Sequence, residues 1–170
     1  MITDSVAPMT LHAWAICLRA GEEARRRGDR RAGTDHLLLA LFYDPSVEHV
    51  LGVNLAQARD AVELLDDQAL NAVGLESGTD VPLIPMRAVP SKPSLRDVAS
   101  KDRIRITPAA KRVLERATKS NRRRLEVTSQ QVLAQILTLK PPDHAAVLLD
   151  VLDVNRSDVR RRLDLPGATG

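Results

Sequence analysis

The chain repeats itself, and that repeat limits what it can fold into more than any other feature. Aligning the first half on the second pairs Thr10 with Thr107, Ala13 with Ala110, Ile16 with Val113 and Ala20 with Ala117. After a loop shortened by two residues, Thr34-Asp35-His36-Leu37-Leu38 pairs with Ser129-Gln130-Gln131-Val132-Leu133, and Leu51-Gly52-Val53-Asn54 pairs with Leu152-Asp153-Val154-Asn155. The period exceeds that of a solenoid unit, so each copy is a multi-element half. Apolar residues in both halves recur at helical spacing.

Each half reads as four helices. In the first, Thr10 caps a run that passes through Arg19 and stops near Gly28, a glycine at the C′ position. Thr34 opens a second run to Phe42, and Asp44-Pro45-Ser46 breaks it before a short helix from Val47 to Leu51. Asn54 caps a fourth, reaching about Ala72. In the second half, Thr107-Pro108 places a capping hydroxyl before a proline at the first helical position, and that helix runs to about Arg124. Thr128 or Ser129 caps the next, His144 to Val151 forms a third after Pro141-Pro142, and Asn155 caps a fourth ending near Leu163. Between the halves, Gly74, Gly78, Pro82, Pro85, Pro90 and Pro93 forbid a long helix. The expected organisation is one unit over 1–170: repeat one 9–72, a linker 73–103, repeat two 104–164 and a tail 165–170. The fold class is all-α.

Composition agrees. Of 170 residues only Trp14, Phe42 and Tyr43 are aromatic, which favours helices packed through Leu, Val and Ala over a sandwich or barrel. The 25 basic residues, mostly Arg, exceed the 22 acidic ones by three, so a nucleic-acid reading depends on local clusters. Those clusters are Arg25-Arg26-Arg27, Arg30-Arg31, Arg122-Arg123-Arg124 and Arg160-Arg161-Arg162. They mostly close helices, where positive charge complements the dipole, and no aromatic residues are interleaved for base stacking. The uncharged stretch from Ser5 to Leu18 contains Pro8 and His12 and lacks a basic flank, so neither a signal peptide nor a membrane span is expected. A soluble cytoplasmic protein follows as the expectation.

Catalytic and metal readings find little support. His12, His36, His49 and His144 show no ligand spacing, and Cys17, the single cysteine, lies on an apolar helical face that predicts an inert thiol. The adjacent pairs Glu22-Glu23 and Asp66-Asp67 point in different directions on helices. No enzyme, no metal and no cofactor are expected.

The ordered motifs resemble a known family. Met9-Thr10-Leu11-His12-Ala13, Glu22-Glu23-Ala24-Arg25-Arg26-Arg27-Gly28 and Gly33-Thr34-Asp35-His36-Leu37-Leu38-Leu39-Ala40-Leu41 follow the pattern F-T-x-x-A, E-E-A-R-R-x-G and G-T-E-H-L-L-L-G-L of the paired Clp repeats. Those repeats form the N-terminal domains of ClpA- and ClpC-type unfoldases. The second half keeps Thr107-Pro108-Ala109-Ala110-Lys111-Arg112-Val113-Leu114-Glu115 and the tail His144-Ala145-Ala146-Val147-Leu148-Leu149. No G-x-x-x-x-G-K-[ST] phosphate loop occurs, so the chain is similar to a free-standing N-domain without its motor.

The resemblance implies a non-enzymatic binding protein of the Clp proteolytic system, an accessory or decoy. Its partners would be Clp unfoldase or protease components, adaptors, substrate proteins, or cyclic-peptide antibiotics that target ClpC. It also implies one phosphoarginine pocket per repeat. In each, a threonine and the first helix's amides hold phosphate, and a carboxylate faces the guanidinium. By position these are Thr10 and Asp35 in the first repeat, Thr107 and Gln130 in the second. Asp35 is a methylene shorter than the family's Glu, and Gln130 lacks its charge. Met9 and Ile106 stand where the family has an aromatic residue. Beside this stands a plainer reading: Thr10, Thr34 and Thr107 are helix caps, Asp35 serves the helix dipole, and His36 is a packed structural residue. A basic nucleic-acid module and a structural subunit docking on the protease ring are the alternatives from other classes.

Overall fold

The computed structural model describes residues 11–72, 74, 105–120 and 127–164. Most of the expected linker, the tail, Thr10 and Arg122-Arg123-Arg124 lie outside them. Eight helices occur among the described residues: α1 (Leu11–Arg27), α2 (Thr34–Leu41), α3 (Pro45–Leu51), α4 (Leu55–Ala72), α5 (Pro108–Ser120), α6 (Ser129–Ile136), α7 (His144–Val151) and α8 (Arg156–Asp164). The fold is all-α, four helices to each half.

Local chemistry sets most boundaries. Gly28, at φ +79°, ends α1, with its own N–H donating to Arg25 O (3.1 Å) and Asp29 N–H donating to Ala24 O (2.8 Å). This is the glycine-terminated helix end anticipated from sequence. Asn54 Oδ1 accepts from Gln57 N while Gln57 Oε1 accepts from Asn54 N, both at 2.9 Å. Thr128 and Gln131 repeat this reciprocal cap at α6. Asp44, Asp143 and Asn155 cap α3, α7 and α8 through their side-chain oxygens.

One expected cap is corrected. Gly33, not Thr34, is the N-cap of α2, and its N–H donates to His36 Nδ1 at 3.0 Å. A Cβ on Gly33 would stand 2.5 Å from Asp35 Oδ1, so the residue must be small. Because the helix begins one residue earlier than read, the Thr34 hydroxyl is free to cross to the other repeat. It donates to Asp143 Oδ1 at 2.8 Å. A looser mirror contact also exists: the Ser129 side chain faces Asp44 and helps to hold its carboxyl below the usual value, and its hydroxyl lies 3.1 Å from His12 Nε2. In each repeat, then, the first residue of the second helix reaches the cap of the other repeat's third helix.

A single core spans both halves. The aligned pairs Ala13/Ala110, Ile16/Val113, Ala20/Ala117 and Leu38/Leu133 are all buried. All eight residues of α2 are buried, and this helix packs on α1 and α4 and across on α5, α6 and α7. Ala32, in the loop before α2, exchanges backbone hydrogen bonds with the segment entering α5: Ala32 N–H to Arg105 O at 2.8 Å and Thr107 N–H to Ala32 O at 2.9 Å. These links cross the molecule at its centre and hold the two halves as one body.

Candidate functional site

Asp35 sits in the first turn of α2, where free amides and the positive dipole end favour a carboxylate. Its side chain is only 8% exposed. Burial works against the charge, but the adjoining His36 and the guanidinium of Arg27 outweigh it, and the carboxyl pKa lies at about 2. Asp35 Oδ2 accepts from Arg27 Nη1 at 2.8 Å. Asp35 Oδ1 is buried with no hydrogen-bond partner. His36 Nδ1, to which the Gly33 N–H donates, lies 3.2 Å from it.

Arg27 closes α1 and forks. Besides Asp35, its Nη2 donates to Asp66 Oδ1 and Oδ2 on α4, at 3.0 and 2.8 Å. Asp29 Oδ2 stands 3.8 Å from Nη1. One guanidinium thus lies among three carboxylates, leaving the cluster net negative. Beside it opens a groove of about 320 Å³ between the repeats. Val62 and Leu65 of α4 and Val147 and Leu148 of α7 supply its apolar walls, and His144 stands at its rim. Such a cleft can take an apolar segment lengthwise, with the charged cluster selecting what lies at its end.

The second repeat offers no such arrangement among the described residues. The Thr107 hydroxyl accepts from Ala110 N at 3.3 Å, the plain cap of α5. Gln130 is exposed on α6. Thr10 lies outside the described residues; of Asp35, Thr107 and Gln130, Asp35 alone borders the groove. Sequence reasoning missed Arg27, Asp66 and the α7 wall. Arg27 fills the unspecified position of E-E-A-R-R-x-G, and nothing in the chain pairs residue 27 with residue 66.

The remaining candidates take structural roles. Burial pushes the Cys17 thiol up to about 11, which keeps it protonated and unreactive near neutrality. Glu23, also buried, accepts from Arg59 and from the Tyr43 hydroxyl. Burial opposes its charge, yet these two partners hold its pKa below the usual value. Arg19, exposed at the helix surface, pairs with Glu22. Two arginines of α8 terminate other helices: Arg160 Nη2 donates to Leu137 O (2.7 Å), and Arg162 Nη1 to Val50 O (2.9 Å). Arg156 serves Leu139 O and Ala146 O, both at 2.7 Å. No group of three or more potential metal ligands occurs among the described residues, and no helix there is long and apolar enough to cross a membrane.

Comparison with known families agrees with the duplicated architecture. The model of the Clp repeat N-terminal domain matches residues 8–151. No curated protein matches the chain. The chain belongs to the Clp repeat N-terminal domain family.

Proposed function

We propose that this Clp repeat domain is a non-enzymatic docking module of the Clp proteolytic system. It takes guanidinium-bearing segments, phosphoarginine above all, at the first repeat and acts as an accessory or decoy for the unfoldase. The observation that carries the reading is Asp35. It is a buried, ionised carboxylate at a helix start, it already holds one guanidinium, and it borders an apolar groove between the repeats. Buried carboxylate–guanidinium pairing is among the stronger charge-assisted contacts a protein makes. The groove walls favour an unfolded or adaptor segment whose apolar side chains flank the cation. Against nucleic acid stand Arg156, Arg160 and Arg162, whose guanidinium groups are held on backbone carbonyls.

Titration calorimetry with phosphoarginine, with free arginine as control, tests the proposal. Saturable binding is expected, lost in Asp35→Asn and weakened in Thr10→Ala. Thr107→Ala and Gln130→Ala should leave it unchanged. No heat at millimolar phosphoarginine would remove that ligand and leave docking of an apolar adaptor segment as the use of the groove.

A further inference from the structure

We infer that Arg27 is a resident competitor for the groove: an intramolecular guanidinium seated on Asp35 that an incoming cation must displace. The inference rests on the proposed reading of Asp35 as the ligand-facing carboxylate. A guanidinium ligand needs a carboxylate oxygen it can reach to make a charge-assisted hydrogen bond. Here Oδ2 is taken by Arg27 Nη1 at 2.8 Å. Oδ1 is enclosed beneath Gly33, so close that a Cβ there would stand 2.5 Å away. While Arg27 stays, no second guanidinium can take Oδ2, the oxygen of Asp35 that is not enclosed.

The same geometry lets Arg27 leave. Its Nη2 already makes two hydrogen bonds to Asp66, whose side chain is 56% exposed at the surface of α4. Arg27 itself is partly in solvent, at 25% side-chain exposure. Released from Asp35, it retains a carboxylate partner and regains water, so the displaced state leaves no buried unpaired cation. The arrangement is a two-position side chain: closed on Asp35 and Asp66 together, open on Asp66 alone. A ligand's apparent affinity then falls by the fraction of molecules in the open position. Tethered so near, Arg27 acts at an effective concentration in the millimolar range or above, which weak free ligands do not match.

The test measures binding of phosphoarginine and of N-acetylarginine amide, a guanidinium without phosphate, by calorimetry. It compares the wild type with Arg27→Leu, Arg27→Lys and Arg27→Leu/Asp35→Asn, with thermal unfolding run on each. Arg27→Leu keeps an apolar stem and should tighten both probes about tenfold or more. Arg27→Lys, which cannot fork, should give a smaller gain. The gain of Arg27→Leu should vanish for both probes when Asp35→Asn is added. Equal affinity in wild type and Arg27→Leu would overturn the competitor role while leaving the proposed function standing. Binding lost in Arg27→Leu would also overturn it, by making Arg27 a ligand contact. Failure of every variant to bind either probe removes the function and the competitor together. If Arg27→Leu does not fold, Arg27→Lys decides: unchanged affinity there counts against the proposal.

Discussion

α2 and α6 hold the same place in their repeats, yet their burial differs at half of the aligned positions. α2 is buried from Thr34 to Leu41, whereas α6 buries Ser129, Val132, Leu133 and Ile136 and leaves Gln130 exposed. The pairs facing the core match in both repeats, and the pairs facing away from it do not. A duplicated sequence preserves the half that packs, because one core serves both copies. The outward positions diverge, and among the described residues the first repeat alone has gathered an ionic cluster around a buried Asp35 there.

The largest test of this asymmetry concerns the shared core, where the repeats should behave alike. Leu38→Ala and Leu133→Ala both empty fully buried sites and should each cost roughly 3 kcal/mol or more in chemical denaturation. A cost confined to one of them would mean the halves do not share one core. Next comes Glu23, whose aligned partner, Ser120, carries no charge. Glu23→Ala removes the shared partner of Arg59 and the Tyr43 hydroxyl, both of which reach solvent, with an expected loss of about 2 kcal/mol. A neutral outcome would make the buried charge dispensable.

Acid unfolding sharpens the contrast at the pocket positions. The Asp35 carboxyl is lowered from 3.8 to about 2 in the folded state, so it stabilises the fold above the unfolded value. That stability is lost as pH falls from about 4 through about 2. Its full size is roughly 2 kcal/mol. Asp35→Asn should flatten this part of the pH–stability profile, whereas Gln130→Ala should shift neither its shape nor its height by more than about 0.5 kcal/mol.

The smallest effects are the cross-repeat hydroxyl bonds. Thr34→Val and Ser129→Ala should each cost about 1 kcal/mol. Similar losses would support equivalent roles for the two crossings, and a loss in one alone would break the pseudo-symmetry at the centre of the molecule.

Much of this was legible in the chain. Gly28, Asn54, Thr107-Pro108 and Asn155 mark helix ends through rules acting within four residues, and the structure places helix ends beside each of them. The apolar spacing of Ala13, Ile16, Cys17 and Ala20 identified the buried face of α1. Thr34 was misread as a cap because a hydroxyl at a helix start suits either position, and only the backbone of Gly33 decides between them. At the site, Asp35 and His36 were visible through a motif, and His36 is packed as expected. Arg160 and Arg162 were read as closing their own helix. Their carbonyl partners, Leu137 and Val50, lie 23 and 112 residues away.

The sequence by itself determined the helices, their order, their duplication and the faces they bury. Those properties come from local hydrogen bonding and from side-chain periodicity, which a linear chain displays directly. Only the tertiary structure decided that Arg27, Asp35 and Asp66 meet, that the groove lies between α4 and α7, and that Thr34 and Ser129 each serve the opposite repeat. Charge pairing depends on distances of a few ångströms between residues far apart in the chain, and those distances exist only once the core has closed.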